Sequence, residues 1–142
     1  MIIIHPYAKV LQNGKRNPKN YPYWNELLSL IDEPVIQIGV EGEKQLVDDF
    51  RKGLSIIELR QLIKECRTWI SVDSFFQHLA WSESKQGIVL WSVSDPLIFG
   101  HKENINLLKD RVYLSEKQFL WWDFTEHNDD AFVKPEEVLK FL

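Results

Sequence analysis

Cysteine is almost missing from this chain: Cys66 stands alone, so no intrachain disulfide can form, which fits a reducing compartment. The four histidines, His5, His78, His101 and His127, are scattered without a pair at ligand spacing. That predicts no structural zinc site and no metal cofactor. An excess of one charge is lacking too. With 17 basic and 21 acidic residues and a formal charge of −4, no broad cationic face is available, and nucleic acid is not an expected partner. Long apolar runs are also absent. "MIII" has no basic leader and is closed at once by "HPYAK", which is too short for a signal peptide or a spanning helix. Together these absences read as a soluble, cytoplasmic chain with no membrane span.

What is present fits one domain over residues 1–142. The length and a 44% hydrophobic, 27% charged composition suit a single core. "MIIIHP" and "EPVIQIGV" read as buried strands, followed by "TWISVD" and "GIVLWSV". Between them, Trp24, Leu27, Leu28 and Ile31 have helical spacing, and "GEKQLVDDF" is helical in composition, with Leu46, Val47 and Phe50 on one side. "LSIIELRQLIKEC" opens with Ser55 and Glu58, a capping box, and its inward stripe is Ile56, Leu59, Leu62, Ile63 and Cys66. "SFFQHLAWSE" is a helix with Phe75, Phe76, Leu79 and Ala80 inward. A further strand is expected near "DRVYL" and a terminal helix in "KPEEVLKFL". The late aromatic cluster "FLWWDF" is expected to close the core, with a partner surface as the alternative. Alternating strands and helices predict an α/β fold, a single doubly wound, mainly parallel sheet with helices on both faces.

In such a sheet the ligand crevice lies beyond the carboxyl ends of the strands. The segments after the strands bring Lys9, Lys15, Arg16, Glu41, Glu43, Asp73, Ser74, His78, Ser94 and Asp95 to that edge. "DSFFQH" admits three readings. Ser74 with His78 as base would be a small hydrolase, but bulky Val72, Phe75 and Phe76 surround the serine where a nucleophile elbow needs small residues. A helix start at Ser74 would aim free backbone amides at an anion. Alternatively Asp73 and Ser74 are plain caps and His78 a packed residue. In "NGKRNPK", Lys15 or Arg16 could reach a phosphate, or the loop could simply be solvated. Glu43 could cap its own turn or hold a ribose. Asp95-Pro96 is a common turn signal.

In order, "IIIHP", "GKRNPKNYPYWNELL", "VIQIGVEGE", "LSIIELRQLIKECRTWISVDSFFQHLAW", "GIVLWSVSDP" and "PEEVL" resemble the carboxy-terminal, donor-binding half of the heptosyltransferases, glycosyltransferases of the GT-B fold (family nine). The likeness covers nearly the whole chain. Its most specific element is Asp73-Ser74, then His78-Leu79-Ala80, then the Ser94-Asp95-Pro96 turn. The resemblance implies a Rossmann-like domain in which the backbone from Ser74 through Phe75, Phe76, Gln77, His78 and Leu79 holds the diphosphate of a nucleotide-sugar. Lys15, ahead of Asn17-Pro18, would contact the phosphates, and Glu43 the ribose. Asp73, Ser94 and Asp95 would shape the site. The chain departs from the pattern at Phe75, where many members have glycine, and at Ser92-Val93, where they have Gly-Pro.

Inverting glycosyl transfer needs a base for the acceptor and a cationic or dipolar site for the departing diphosphate. In the resembled family a second, amino-terminal domain binds the acceptor and supplies the catalytic carboxylate, and this chain starts at the first strand of the other half. The expectation is a donor-half domain acting with an acceptor-domain subunit or as a homo-oligomer. The alternative is a non-catalytic nucleotide or sugar-nucleotide binding module.

Overall fold

The β-branched and apolar runs become six strands, and the computed structural model describes all 142 residues. The strands are β1 (Ile2–His5), β2 (Val35–Gly39), β3 (Asp49–Lys52), β4 (Thr68–Val72), β5 (Ile88–Trp91) and β6 (Ile105–Leu108). All neighbours pair in parallel, in the order β3-β2-β1-β4-β5-β6. The helices are α1 (Trp24–Ser29), α2 (Ile56–Glu65), α3 (Phe75–Ser82), α4 (Pro96–Phe99) and α5 (Pro135–Leu139). This is the Rossmann-like, doubly wound sheet that the alternation predicts.

Buried side chains alternate between the two faces, as the period of two requires. Ile2, Ile4, Ile70, Val72, Ile88 and Leu90 pack with Trp24 and Leu27 of α1, Val138 of α5 and Phe132 of the tail. Ile3, Ile36, Ile38, Trp69, Val89 and Trp91 face Leu59, Leu62 and Ile63 of α2 and Phe76 and Ala80 of α3. The central strands are thus covered on both sides. No helix is long and apolar enough to cross a membrane.

Four expectations are corrected. The segment "GEKQLVDDF" is not a helix: it runs irregularly into edge strand β3. The cause is the fully buried Gln37 on β2, whose side-chain amide donates to Lys44 O at 2.9 Å while its carbonyl takes Leu46 N–H at 2.7 Å. Those bonds capture backbone groups that a helix would need for itself. The last strand is Ile105–Leu108 rather than "DRVYL", where residues 111–113 form one 3₁₀ turn capped by Asp110. The expected inward stripes lose their first members: Ile56 at the start of α2 and Phe75 at the start of α3 are about half exposed, so the buried stripe of α2 begins at Leu59. Finally, the late aromatics do not close the core; Phe119, Trp121 and Phe124 are exposed, and Trp24, Trp69 and Trp91 are the buried tryptophans.

Candidate functional site

The strand order reverses between β1 and β4, so the crevice of such a sheet falls where these two strands end. His5 closes β1 and pairs in register with Ser71 of β4; Asp73 and Ser74 follow directly. The loop after β1 is folded over the same end by its own asparagines. Asn17 donates to Lys9 O at 2.8 Å and accepts Lys19 N–H at 2.9 Å, and Asn20 accepts Ala8 N–H. Ser92, at the end of β5, donates to Pro18 O at 2.9 Å.

That folding directs Lys19 rather than Lys15 to the centre. Lys19 Nζ lies 2.9 Å from Asp73 Oδ2, and both side chains are largely buried. Asp73 also accepts from Gln77 Nε2 at 2.7 Å and from Ser94 Oγ at 2.7 Å. The Lys19 ammonium further sits over the Trp122 ring, 4.6 Å from its centroid. Asp73 is therefore a buried acceptor with three donors around it, one on Oδ1 and two on Oδ2, which suits a structural anchor better than a base. Lys15 and Arg16 point to the late loop instead, near Glu126 at 3.9 Å and Asp129 at 3.7 Å, and remain solvent-accessible.

Ser74 is the residue before α3, with extended backbone and no side-chain bond to the helix. Its Oγ lies 3.1 Å from His5 Nδ1, so the serine meets His5 and not His78. His5 is sandwiched by the helix start: Phe76 stacks on it at 5.3 Å and Phe75 meets it edge-on at 5.3 Å. Burial holds the His5 imidazole down at about 4, so it is neutral at physiological pH and a poor general base. This geometry removes the support for a Ser74–His78 hydrolase.

Because Ser74 turns to His5, the backbone amides of Phe75, Phe76 and Gln77 meet no acceptor within the chain. They lie at the positive end of an eight-residue helix beyond β4. Phe76 is fully buried, while Phe75 stands half exposed at the mouth. Two polar atoms beneath this region, Ser71 Oγ and Gln77 Oε1, are buried without partners. Leu79 is half-buried and packs against the α2–α3 face of the sheet, away from the free amides.

The remaining candidates are distributed around this centre. His78 Nδ1 lies 2.7 Å from His101 Nε2, one imidazole donating to the other, and Trp81 stacks on His101 at 4.3 Å. Burial, then the neighbouring His101, lowers the His78 pKa. No three His, Cys, Asp or Glu side chains converge as metal ligands do. Glu43, past the end of β2, accepts Val40 N–H at 3.3 Å, and burial raises its carboxyl. Asp95 caps α4 through Leu97 N–H, and the Arg111 guanidinium gripping both its oxygens lowers its pKa.

Sequence reasoning missed Lys19 and His5. The signal for His5 was its place as the last residue of a strand bordering the reversal. For Lys19 the signal was weaker: only Asn17, whose side chain makes an Asx-type bond to Lys19 N–H, and Asn20, which reaches back to Ala8 N–H, mark this end of the loop as the ordered one. Comparison with models of protein families, with curated proteins and with solved structures finds no match to this chain.

Proposed function

We propose that the chain is a heptosyltransferase-like donor-half domain that binds the diphosphate of a nucleotide or nucleotide-sugar at the start of α3. The observation carrying this reading is the trio of unpaired amides of Phe75, Phe76 and Gln77 at the switch point of the sheet. Amides and helix dipole stabilise an anion there, and Lys19, paired with Asp73 two residues before α3, is a largely buried cation at the same edge. Glu43, at the neighbouring strand end, is offered for a ribose diol. Release of a diphosphate leaving group would draw on the same amides. Glycosyl transfer would then require an acceptor-binding partner, either another subunit or a second copy, to bring the base.

A second reading is a non-catalytic binding module: Asp73, engaged by Lys19, Gln77 and Ser94, serves as an anchor, so any turnover rests wholly on a partner.

Isothermal titration with nucleoside diphosphates and their sugars tests the site, and Phe75→Pro tests the amides. Proline is tolerated at the first helical position, and Ser74 already has the extended backbone that precedes a proline. The expected result is binding of at least one diphosphate, weakened about tenfold by Phe75→Pro and little by Phe75→Ala. No binding across the panel overturns the reading. Transfer or hydrolysis detected by mass spectrometry overturns the module, and transfer that appears only when an acceptor-binding partner is added supports the donor half.

A further inference from the structure

The segment between Ser115 and Glu126 contains no strand and only one short 3₁₀ turn, yet it is tied down along its length. Ser115 N–H donates to Val93 O at 2.9 Å, and Gln118 bridges Val93 O, Ser115 O and Asp95 N–H. Asn13 donates to Asp123 Oδ2 at 3.1 Å through its backbone and to Asp123 O at 3.2 Å through its side chain. So anchored, the segment still presents Leu120, Trp121 and Phe124 to solvent, with exposures of 52%, 62% and 88%. Hydrophobic burial does not explain three large apolar side chains held outward together.

They line a cavity of about 580 Å³, a size suited to a small ligand. Its other walls are Ser115, Glu116, Lys117, Thr125 and Glu126. These polar groups are mostly uncommitted: Glu126 has only the distant Lys15 ammonium at 3.9 Å, and Ser115 Oγ makes one long contact of 3.5 Å. The wall therefore combines carboxylate acceptors, an ammonium donor and hydroxyls that do both, beside aromatic faces.

We propose that this cavity binds a neutral saccharide ring. A pyranose has one face of C–H groups, which suits the Trp121 and Phe124 rings, and an edge of hydroxyls that both donate and accept. A phosphorylated ligand would find no net positive charge, since Glu116 and Glu126 offset Lys117 and the Lys15 ammonium beside Glu126. A quaternary ammonium would use the aromatic rings and leave Lys117 opposed to it. The two carboxylates likewise disfavour an anionic membrane surface. The inference does not depend on diphosphate binding at α3, since no residue is shared between the two sites.

Saturation-transfer NMR with glucose, galactose, mannose, N-acetylglucosamine and their disaccharides, in the absence of nucleotide, tests it on the full chain. Tetramethylammonium and inorganic phosphate serve as competing probes. The expected result is saturable millimolar binding of at least one saccharide, with signal strongest on the C–H face. Trp121→Ala or Phe124→Ala should weaken it about tenfold or more, and Glu116→Gln or Glu126→Gln by less, with unchanged melting temperature because these side chains are outside the core. Absence of saccharide binding overturns the proposal. So does binding that survives both aromatic substitutions, or preferential binding of tetramethylammonium or phosphate in the same cavity.

Discussion

Lys19 Nζ and Asp73 Oδ2 meet at 2.9 Å although 54 positions apart, one side chain 15% and the other 7% exposed. The pair fastens the loop after β1 to the turn after β4, the two segments that border the crevice. Neither charge is well solvated, so each depends on the other. The Ser94 hydroxyl and Gln77 amide fill further acceptor positions of the carboxylate. This anchor fixes the first turn of α3, and with it the direction of the free amides.

Replacing Lys19 with Met should therefore cost roughly 3 kcal/mol, the penalty for leaving a buried carboxylate uncompensated. In urea unfolding, Lys19→Met combined with Asp73→Asn should be less destabilised than the sum of the two single variants. Strict additivity would show that the pair is not coupled.

Strands β1, β2, β4 and β5 were legible in the sequence because they are nearly continuous apolar runs, which parallel strands buried on both faces require. The edge strand β3, Asp-Phe-Arg-Lys, is mostly exposed and carries no such run. The α2 start was legible for a local reason, the Ser55–Glu58 reciprocal bonds. What escaped was non-local. The helix expected over "GEKQLVDDF" is prevented by Gln37, whose partners lie seven and nine residues away. At the crevice, the edge and the α3 start could be foreseen from strand order. The choice of Lys19 over Lys15, and of His5 over His78 as the partner of Ser74, depends on how a loop folds back over the sheet. Residue types alone do not encode that.

Ser55 is the acceptor at the start of α2, taking Glu58 N–H at 3.2 Å while Glu58 Oε2 takes Ser55 N–H at 2.7 Å. Ser55→Ala should lower stability by about 1 kcal/mol, and Ser55→Asp by much less, since aspartate also caps. Thermal melts of the three proteins check the order.

His5 should make the fold acid-sensitive. Its pKa falls from an ordinary 6.5 to about 4 on folding, so between these values the native chain binds fewer protons than the unfolded one. Its contribution is complete above about pH 6.5 and is lost as pH falls towards 4, a total of roughly 3 kcal/mol. His5→Phe, which keeps the stack on Phe76, should flatten this part of the stability profile in urea titrations at stepped pH. A profile with the same slope in that variant would place the acid sensitivity elsewhere.

Two glycines at the strand ends should respond differently to alanine. At Gly87 a new Cβ would come within 2.1–2.6 Å of the Trp69 indole. That ring is fully buried and fixed by its bond to Lys85 O at 2.9 Å. It has nowhere to go, and overpacking of this kind costs about 1–3 kcal/mol or more. At Gly39 the Cβ would meet Glu43 Oε2 at 1.9 Å, the mobile end of a flexible side chain, and Phe50 at 3.1 Å. Glu43 can swing aside, surrendering only its 3.3 Å bond from Val40 N–H, so Gly39→Ala should cost about 1 kcal/mol or less. The same substitution then separates the crevice from the core: Gly39→Ala should weaken the ribose contact proposed for Glu43 while leaving the melting temperature nearly unchanged. Gly87→Ala should lower the melting temperature by several degrees, read by calorimetry. Equal destabilisation at the two sites would mean that Glu43 is less free to move than its contacts imply.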